Sequence, residues 1–477
     1  MQTLTPKPHL FIDGEWIASG AGDQPLINPA TEERIAVVPH ASVAQLDAAL
    51  DAAERGFRTW RYISPYDRSR ILRKAGDLIR ERRDMIAAQI TTEQGKTIGE
   101  ARNEVLAAAD TFDWYAEEGR RAYGRIIPPR EYGHRWLVMK EPVGPVAAFS
   151  PWNFPAMLSA RKIAGSLAAG CSCILKPAEE TPSAALAFAK ALQDAGLPNG
   201  VLNIVFGVPD KISTHLIRSP VIKKLTFTGS TAIGKHLAKM AAAGMKKATF
   251  ELGGHSPVIV FDDVSIEGVV KVLLAGKIRN AGQVCISPTR VYVQEGIYAA
   301  FSDAFSKALA SVKVGDGFDA QIQMGAMANS RRVEAMQRLV DNARDVGGKV
   351  LTGGSRATDS GYFWKPTLLS EVPDHAQVMN EEPFGPVAIA NPFSTLDDAV
   401  AQANRLPYGL AAYAFTTSSR RSIDIANALE AGVVGINNLT VTIAEAPFGG
   451  IKESGYGFEA GQEGLEAFLN TKFVSEA

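Results

Sequence analysis

The sequence predicts an α/β protein built on parallel sheets. Three observations carry that prediction: a 477-residue chain with 46% hydrophobic residues, amphipathic helical stretches alternating from Ser42 onward with short apolar runs, and the absence of internal repeats or low-complexity segments. Alternation of this kind winds strands into parallel order through right-handed crossovers and leaves ligands at the carboxyl ends of the strands. The length suggests about two to four domains.

Helices come first. The stretches "SVAQLDAALDAAERGFRTW" and "PYDRSRILRKAGDLIRERRDMIAAQI" carry apolar residues at helical spacing, with Ser42 placed as a cap and Pro65 in a first turn. A third helix is expected over 97–123. Strand-like runs follow, separated by helices: "PVAAF" near 145, "CSCILK" near 171, "VLNIVF" near 201, "KLTFTG" near 224, "SPVIVF" near 256 and "TRVYVQ" near 289. Two regions break the rhythm. Residues 124–144 alternate enough for an antiparallel excursion, and the tail 456–477 ends in the strand-like "FLNTKFV". Either these segments pair with another subunit, since exposed strand edges invite pairing, or they form a second layer within one chain.

Lysine plus arginine number 50 against 51 acidic residues, for a net charge of -1, which gives no reason to expect nucleic acid or an anionic membrane as partner. The N-terminal stretch lacks the basic start and apolar core of a signal peptide. No run approaches the ~18 apolar residues of a membrane span, so a cytoplasmic protein is expected. The cysteines Cys171, Cys173 and Cys285 are an odd count that suits free thiols in a reducing compartment. Cys171 and Cys173 read as packing residues, and without a histidine pair or acidic cluster at zinc spacing no metal is expected.

"KIRNAGQVCIS" sets Cys285 among polar residues and glycines. That setting suits a reactive thiol, which needs partial exposure and polar or cationic neighbours; the alternative is a cysteine in the loop after a helix ending near Gly282. "PWNFP" holds Asn153 between two prolines, as an oxyanion donor or a turn residue. "CILKPAEETP" ends a strand with Lys176 and Glu179, placed for ribose hydroxyls or as solvated loop charges. In "FTGSTAIGKH" a strand gives way to a helix where a phosphate would meet free N–H groups, but His236 replaces the Ser or Thr of a P-loop, which argues against ATP. "FELGGHSP" sets Glu251 before two glycines, as a general base or an acid at a bend.

The order PWNFP, KPAEETP, FTGSTAIGK, ELGG, GQVC and then "EEPFGP" at 381–386 resembles the aldehyde dehydrogenase superfamily through nearly the whole chain. The resemblance implies a Rossmann-type NAD-binding domain over 1–122 and 142–249, an α/β catalytic domain over 250–440, and small β bridging segments at 123–141 and 456–477 that join subunits into a homodimer or homotetramer. It implies that Cys285 is the nucleophile, Glu251 the general base, and Asn153 with the Cys285 backbone N–H the oxyanion site. Lys176 and Glu179 would hold the adenosine ribose, and Trp152, Gly229 and Ser230 would lie near the pyrophosphate. Leu252 would join the cofactor contacts, with Glu382 and Phe384 at the nicotinamide ribose and ring. Glu459 matches an acid sometimes given a proton-relay role.

The implied reaction is oxidation of an aldehyde through a cysteine thiohemiacetal and a thioester, which water activated by Glu251 hydrolyses to the acid. Relatives that pass the acyl group to coenzyme A typically lack that glutamate. Glu179 would accept from the 2′-hydroxyl of NAD and repel the 2′-phosphate of NADP by ~1–4 kcal/mol at about 4 Å, so NAD is preferred and NADP stays possible. "EEGRRAYGRIIPPR", "RKIAGSLAAGC" and "RNAGQVCISPTR" are most similar to succinate semialdehyde and 2-oxoglutarate semialdehyde dehydrogenases. Arg161 and Arg279 match arginines that grip the substrate carboxylate there, the alternative being that each makes an internal salt bridge. Ser287 stands where some of these enzymes carry a second, redox-active cysteine. An enzyme for uncharged aldehydes and a non-catalytic NAD-binding relative are the other readings.

Overall fold

The computed structural model describes residues 8–477. Its first layer is an eight-stranded sheet in the order Glu15–Ile17, Leu10–Ile12, Leu202–Ile204, Cys173–Lys176, Val146–Phe149, Lys224–Thr228, Lys247–Glu251, Gly455–Tyr456. The five central strands are parallel, and the outer ones are antiparallel. Val146–Phe149 and Cys173–Lys176 are buried at every position, as strands covered on both faces must be. From Val146–Phe149 the chain adds two strands on one side and then crosses to Lys224–Thr228 on the other. The strand order therefore reverses there, opening a crevice at the carboxyl ends of those two strands.

The second layer is a seven-stranded sheet in the order Lys349–Thr352, Thr367–Ser370, Val387–Phe393, Arg290–Gln294, Pro257–Val260, Ala411–Phe415, Val433–Ile436, parallel except for its first strand. Alternate residues feed two cores. Ile259, Tyr292 and Ile389 pack on one face, and Val258, Val260, Val291 and Val293 on the other. An antiparallel hairpin of Gly22–Ile27 and Arg34–His40 precedes the first helix.

The first helix is Val43–Trp60, with Ser42 and Gln45 closing a capping box. The second helical stretch divides in two, Pro65–Glu81 and Arg83–Gln94, because Arg82 leaves the helical region (φ -91°, ψ 9°) and its side chain reaches Asp194 at 2.6 Å. The third helix is Ile98–Glu118, capped by Thr97 and Glu100, followed by the short turn Gly119–Arg121.

Arg135–Pro142 pairs antiparallel with Arg125–Ile127 on one side and with Leu469–Glu476 on the other, so the tail strand finds its partner within its own chain. The tail is not one piece, however. Gly455–Tyr456 extends the first sheet, and Gly461–Glu466 is a helix packed on Pro155–Ala169, with Leu465 and Phe468 in the first core. Only 469–476 belongs to the three-stranded sheet, because those buried apolar groups tie the preceding residues to the larger layer. Among the described residues no helix is long and apolar enough to cross a membrane.

Candidate active site

The carboxyl edge of the first sheet faces the amino ends of the second. Out of the first run Ser150–Asn153, Lys176, Gly229–Ser230 and Glu251, each at or just beyond the end of its strand. From the second come Cys285, in the loop before Arg290–Gln294, and Glu382 with Phe384, before Val387–Phe393. Residues 252–256 join the two layers. A Cβ on Gly254 would lie 2.6 Å from the Cys285 carbonyl oxygen, so only glycine lets this connection pass against the cysteine loop.

The helix before Cys285 is Ile266–Ile278 and ends four residues short of Gly282. Asn280, Ala281 and Gly282 are then all left-handed (φ 50°, 50° and 69°), a strained run for Ala281. Gly282 is required there, since a Cβ would come 2.1 Å from the Gly385 carbonyl oxygen in the Glu382 loop.

Cys285 is half-buried, and among the described residues its backbone N–H has no backbone acceptor. Burial pushes its thiol up to about 12, the Glu382 and Glu251 carboxylates add to that, and Arg161 opposes them. The polar setting of Cys285 thus brings two acids, Glu382 and Glu251, as well as the cation of Arg161 to the thiol, and burial works against the thiolate.

Asn153 is buried; its Nδ2 donates to the Gln283 carbonyl (3.0 Å), and its own carbonyl accepts from Lys96 Nζ and Asn280 Nδ2, both at 2.8 Å. An amide N–H₂ has two hydrogens, so one remains to donate. Glu251 is buried, and among the described residues neither of its carboxyl oxygens has a hydrogen-bond partner. Burial raises its pKa well above the carboxylate range and the charge of Glu459 adds to that, with Lys162 and Arg161 opposing. Glu459 accepts from Lys162 Nζ and from Thr226 Oγ1 at 3.2 Å, and Lys162 also donates to Thr228 Oγ1 at 2.8 Å. A buried ammonium, a hydroxyl pair and two carboxyl groups thus stand together behind the cysteine.

Arg161 is buried and Arg279 half-buried. Arg161, 3% exposed, donates to Thr442 Oγ1 and lies 4.8 Å over the Phe448 ring; Arg279 lies 4.9 Å over Phe154. Among the described residues neither has an acid within ion-pair distance. Arg290, by contrast, is satisfied by the carbonyls of His255, Gln402 and Ala403. An uncompensated buried guanidinium is costly, which is the cost a ligand's anion would relieve.

Lys176 and Glu179 are buried and paired at 2.7 Å, and Glu179 also accepts from the Gly207 N–H at 2.9 Å. Ser230 is the exposed N-cap of Thr231–Ala243 but bonds none of its free N–H groups, which remain available to an anionic ligand. Leu252 packs against Gly234 of that helix. Glu382 accepts from the Gly254 N–H (3.2 Å); burial raises its pKa to about 7 against the Gly254 bond and the charges of Arg332 and Lys277. Phe384, itself left-handed at φ 47°, meets Trp152 edge-on at 5.5 Å. Sequence reading missed Lys162 and Lys96 as site residues; Gln283 lies in the GQVC motif and Thr442 in the loop NNLTVTIAEAPFGG, expected to line the substrate pocket, but neither was given a role. Lys162 had one signal, a second cation beside Arg161 in an otherwise apolar helix; Lys96 had none.

Residues 16–474 match the aldehyde dehydrogenase family, and the chain belongs to it: this is an NAD(P)-dependent aldehyde dehydrogenase. More particularly, it is 49% identical to the 4-(hydroxymethyl)benzenesulfonate dehydrogenase of Comamonas testosteroni, over 98% of each chain. It is 40% identical to the NADP(+) succinate-semialdehyde dehydrogenase of Escherichia coli, over 98% of this chain and 97% of that one. The crystal structure of a succinate-semialdehyde dehydrogenase from Burkholderia pseudomallei superposes with a TM-score of 0.97 at 39% identity, covering 99% of this chain and 98% of that chain.

Proposed function

We propose that the protein oxidises an aldehyde carrying an anionic group at its far end to the corresponding acid with NAD, and that succinate semialdehyde is the first candidate, ahead of 2-oxoglutarate or glutarate semialdehyde. One observation carries this reading: Arg161, buried and among the described residues without an acid within ion-pair distance, is close enough to Cys285 and Glu251 for its charge to bear on both. A planar guanidinium offers a carboxylate two parallel donors, so the far end of the substrate fixes where its aldehyde carbon meets the sulfur.

The Cys285 thiolate, its proton given up to water, attacks that carbon, and the Asn153 amide and the Cys285 backbone N–H hold the oxyanion. NAD(P), when bound, supplies the hydride acceptor. Trp152, Gly229, Ser230 and Leu252 form its phosphate end, Lys176 and Glu179 its adenosine ribose site, and Glu382 and Phe384 its nicotinamide end; the uncapped helix start fits an anion. A thioester on Cys285 remains, and Glu251 takes a proton from the water that cleaves it. Its two unbonded oxygens are free for that water, and the Lys162–Glu459 pair offers the proton an onward path. Glu179 supports NAD over NADP, because a carboxylate in that buried pair disfavours a 2′-phosphate.

A second reading has its own support. Each unpaired guanidinium lies over a phenyl ring, Phe448 or Phe154, and a relative at 49% identity is named for a benzenesulfonate, so an aryl aldehyde bearing a strong anion would also suit these walls. Assembly into a homodimer or homotetramer is supported by the three-stranded sheet, which leaves Ile126, Met139 and Phe473 exposed. The substrate test is NADH formation with succinate semialdehyde, 4-sulfobenzaldehyde, butanal and benzaldehyde. Preference for an anionic member of each pair supports the proposal, and the better anion separates the two readings. Equal rates within each pair would make both arginines structural, and no turnover at all would leave a binding protein.

A further inference from the structure

The amide of Asn153 is only as well placed as the loop that carries it, and that loop is held from outside. The helix Pro155–Ala169 has no cap of its own: Phe154 occupies the N-cap position and supplies no side-chain bond. Its first free N–H groups, those of Ala156 and Met157, instead donate to one oxygen of Glu104, at 2.8 and 3.2 Å. The other Glu104 oxygen is ion-paired with Lys96, whose side chain is fully buried. Lys96 donates to the Asn153 carbonyl at 2.8 Å and stands 4.1 Å over the Phe154 ring.

The same short segment reaches the nucleophile's loop. Glu100, one helical turn before Glu104, uses one oxygen to cap its own helix at Thr97 and the other to accept the Asn280 N–H at 2.7 Å. Asn280 opens the left-handed run before Cys285, and its Nδ2 shares the Asn153 carbonyl with Lys96. Gln283 closes the ring: its carbonyl accepts from Asn153 Nδ2, and its own side chain bonds the Asn280 carbonyl and the Ala328 N–H, each at 3.0 Å. The oxyanion amide and the cysteine loop come from different sheets, yet both are bonded to residues 96–104.

We propose that Lys96, Glu100 and Glu104 are positioning residues that set the Asn153 amide against Cys285. None of them contacts the reacting atoms. The inference rests on Asn153 being the oxyanion donor, so Asn153→Ala is measured beside the clamp variants. Lys96→Met keeps the length and the contact with Phe154 but removes the ammonium. Glu100→Asp keeps a carboxylate in the first helical turn and withdraws it from Asn280 by one methylene, which provides a folded variant if Lys96→Met does not fold.

A displacement of about 1 Å at a reacting group costs on the order of 100-fold, so a loss of that size in kcat is expected, with KM within about threefold. The rate of Cys285 alkylation by iodoacetamide, which does not use the oxyanion amide, should stay within about threefold of the parent, and so should NAD affinity. A general packing role would move all of these together. If Asn153→Ala is inactive while both clamp variants keep kcat within about threefold, the clamp is wrong. Equal losses of kcat, alkylation rate and NAD affinity would also overturn it. If Asn153→Ala keeps full activity, the oxyanion reading itself fails.

Discussion

Arg161→Met tests the anion site most sharply. Methionine keeps the helix former and most of the length while removing the guanidinium. Truncating one partner of a buried, hydrogen-bonded charge pair costs about 2–5 kcal/mol, and at 1.4 kcal/mol per factor of ten that is a loss of about 30-fold to several thousand-fold in kcat/KM for succinate semialdehyde. Butanal has no carboxylate and escapes that loss. The Arg161 charge also acts on Cys285 and Glu251, so absolute rates fall for both aldehydes; their ratio cancels the common part and isolates the anion contact. Stability argues in the same direction. The variant loses the Thr442 bond, about 1 kcal/mol, and the contact with Phe448, about 0.5–1 kcal/mol, but it also sheds the desolvation of a buried guanidinium without an acid partner among the described residues, which offsets them. The melting midpoint should therefore hold or rise. Steady-state rates on both aldehydes and a thermal melt suffice. A parallel loss on both substrates, or a lower midpoint with an unchanged ratio, would refute the reasoning and make Arg161 a structural residue.

Four other outcomes are expected. Glu251→Gln should release one equivalent of NADH per site and then turn over about 10²–10⁴-fold more slowly, as the thioester accumulates; stopped-flow absorbance shows the burst, and a uniformly slow trace without one would assign Glu251 elsewhere. Because burial and two carboxylates push the Cys285 thiol up to about 12, its alkylation without cofactor should climb about tenfold per pH unit through pH 9, following the thiolate; a plateau near pH 8 would contradict the environment described. Gly254→Ala sets a Cβ 2.6 Å from the Cys285 carbonyl, a backbone atom that must move, so kcat should drop at least about tenfold while the protein still folds; unchanged kinetics would mean the loop has slack. Glu179→Ser should raise NADP use relative to NAD by about 5- to 1,000-fold, corresponding to ~1–4 kcal/mol of relieved repulsion; a fixed ratio would take Glu179 out of cofactor choice.

What the sequence determined by itself was the set of local devices. Ser42 and Pro65 mark helix starts because caps are read within a few residues, and the six runs are strands because strands covered on both faces are mostly apolar. Glu251 and Asn153 could be singled out because their motifs sit where strands end, and Cys285 because it stands among polar residues and glycines. Tertiary structure alone decided which of these residues meet. The break at Arg82 follows from Asp194, more than a hundred residues away, and the tail strand's choice of Arg135–Pro142 follows from where Leu465 and Phe468 are buried. The high pKa of Cys285 and Glu251 comes from burial and from Glu382 and Glu459, none of it a property of neighbouring sequence. Lys96 and Lys162 are ordinary lysines in the chain and fully buried ammonium groups in the fold. Charge is fixed by residue type, whereas the cost of a charge is fixed by what surrounds it, and only packing brings those surroundings together.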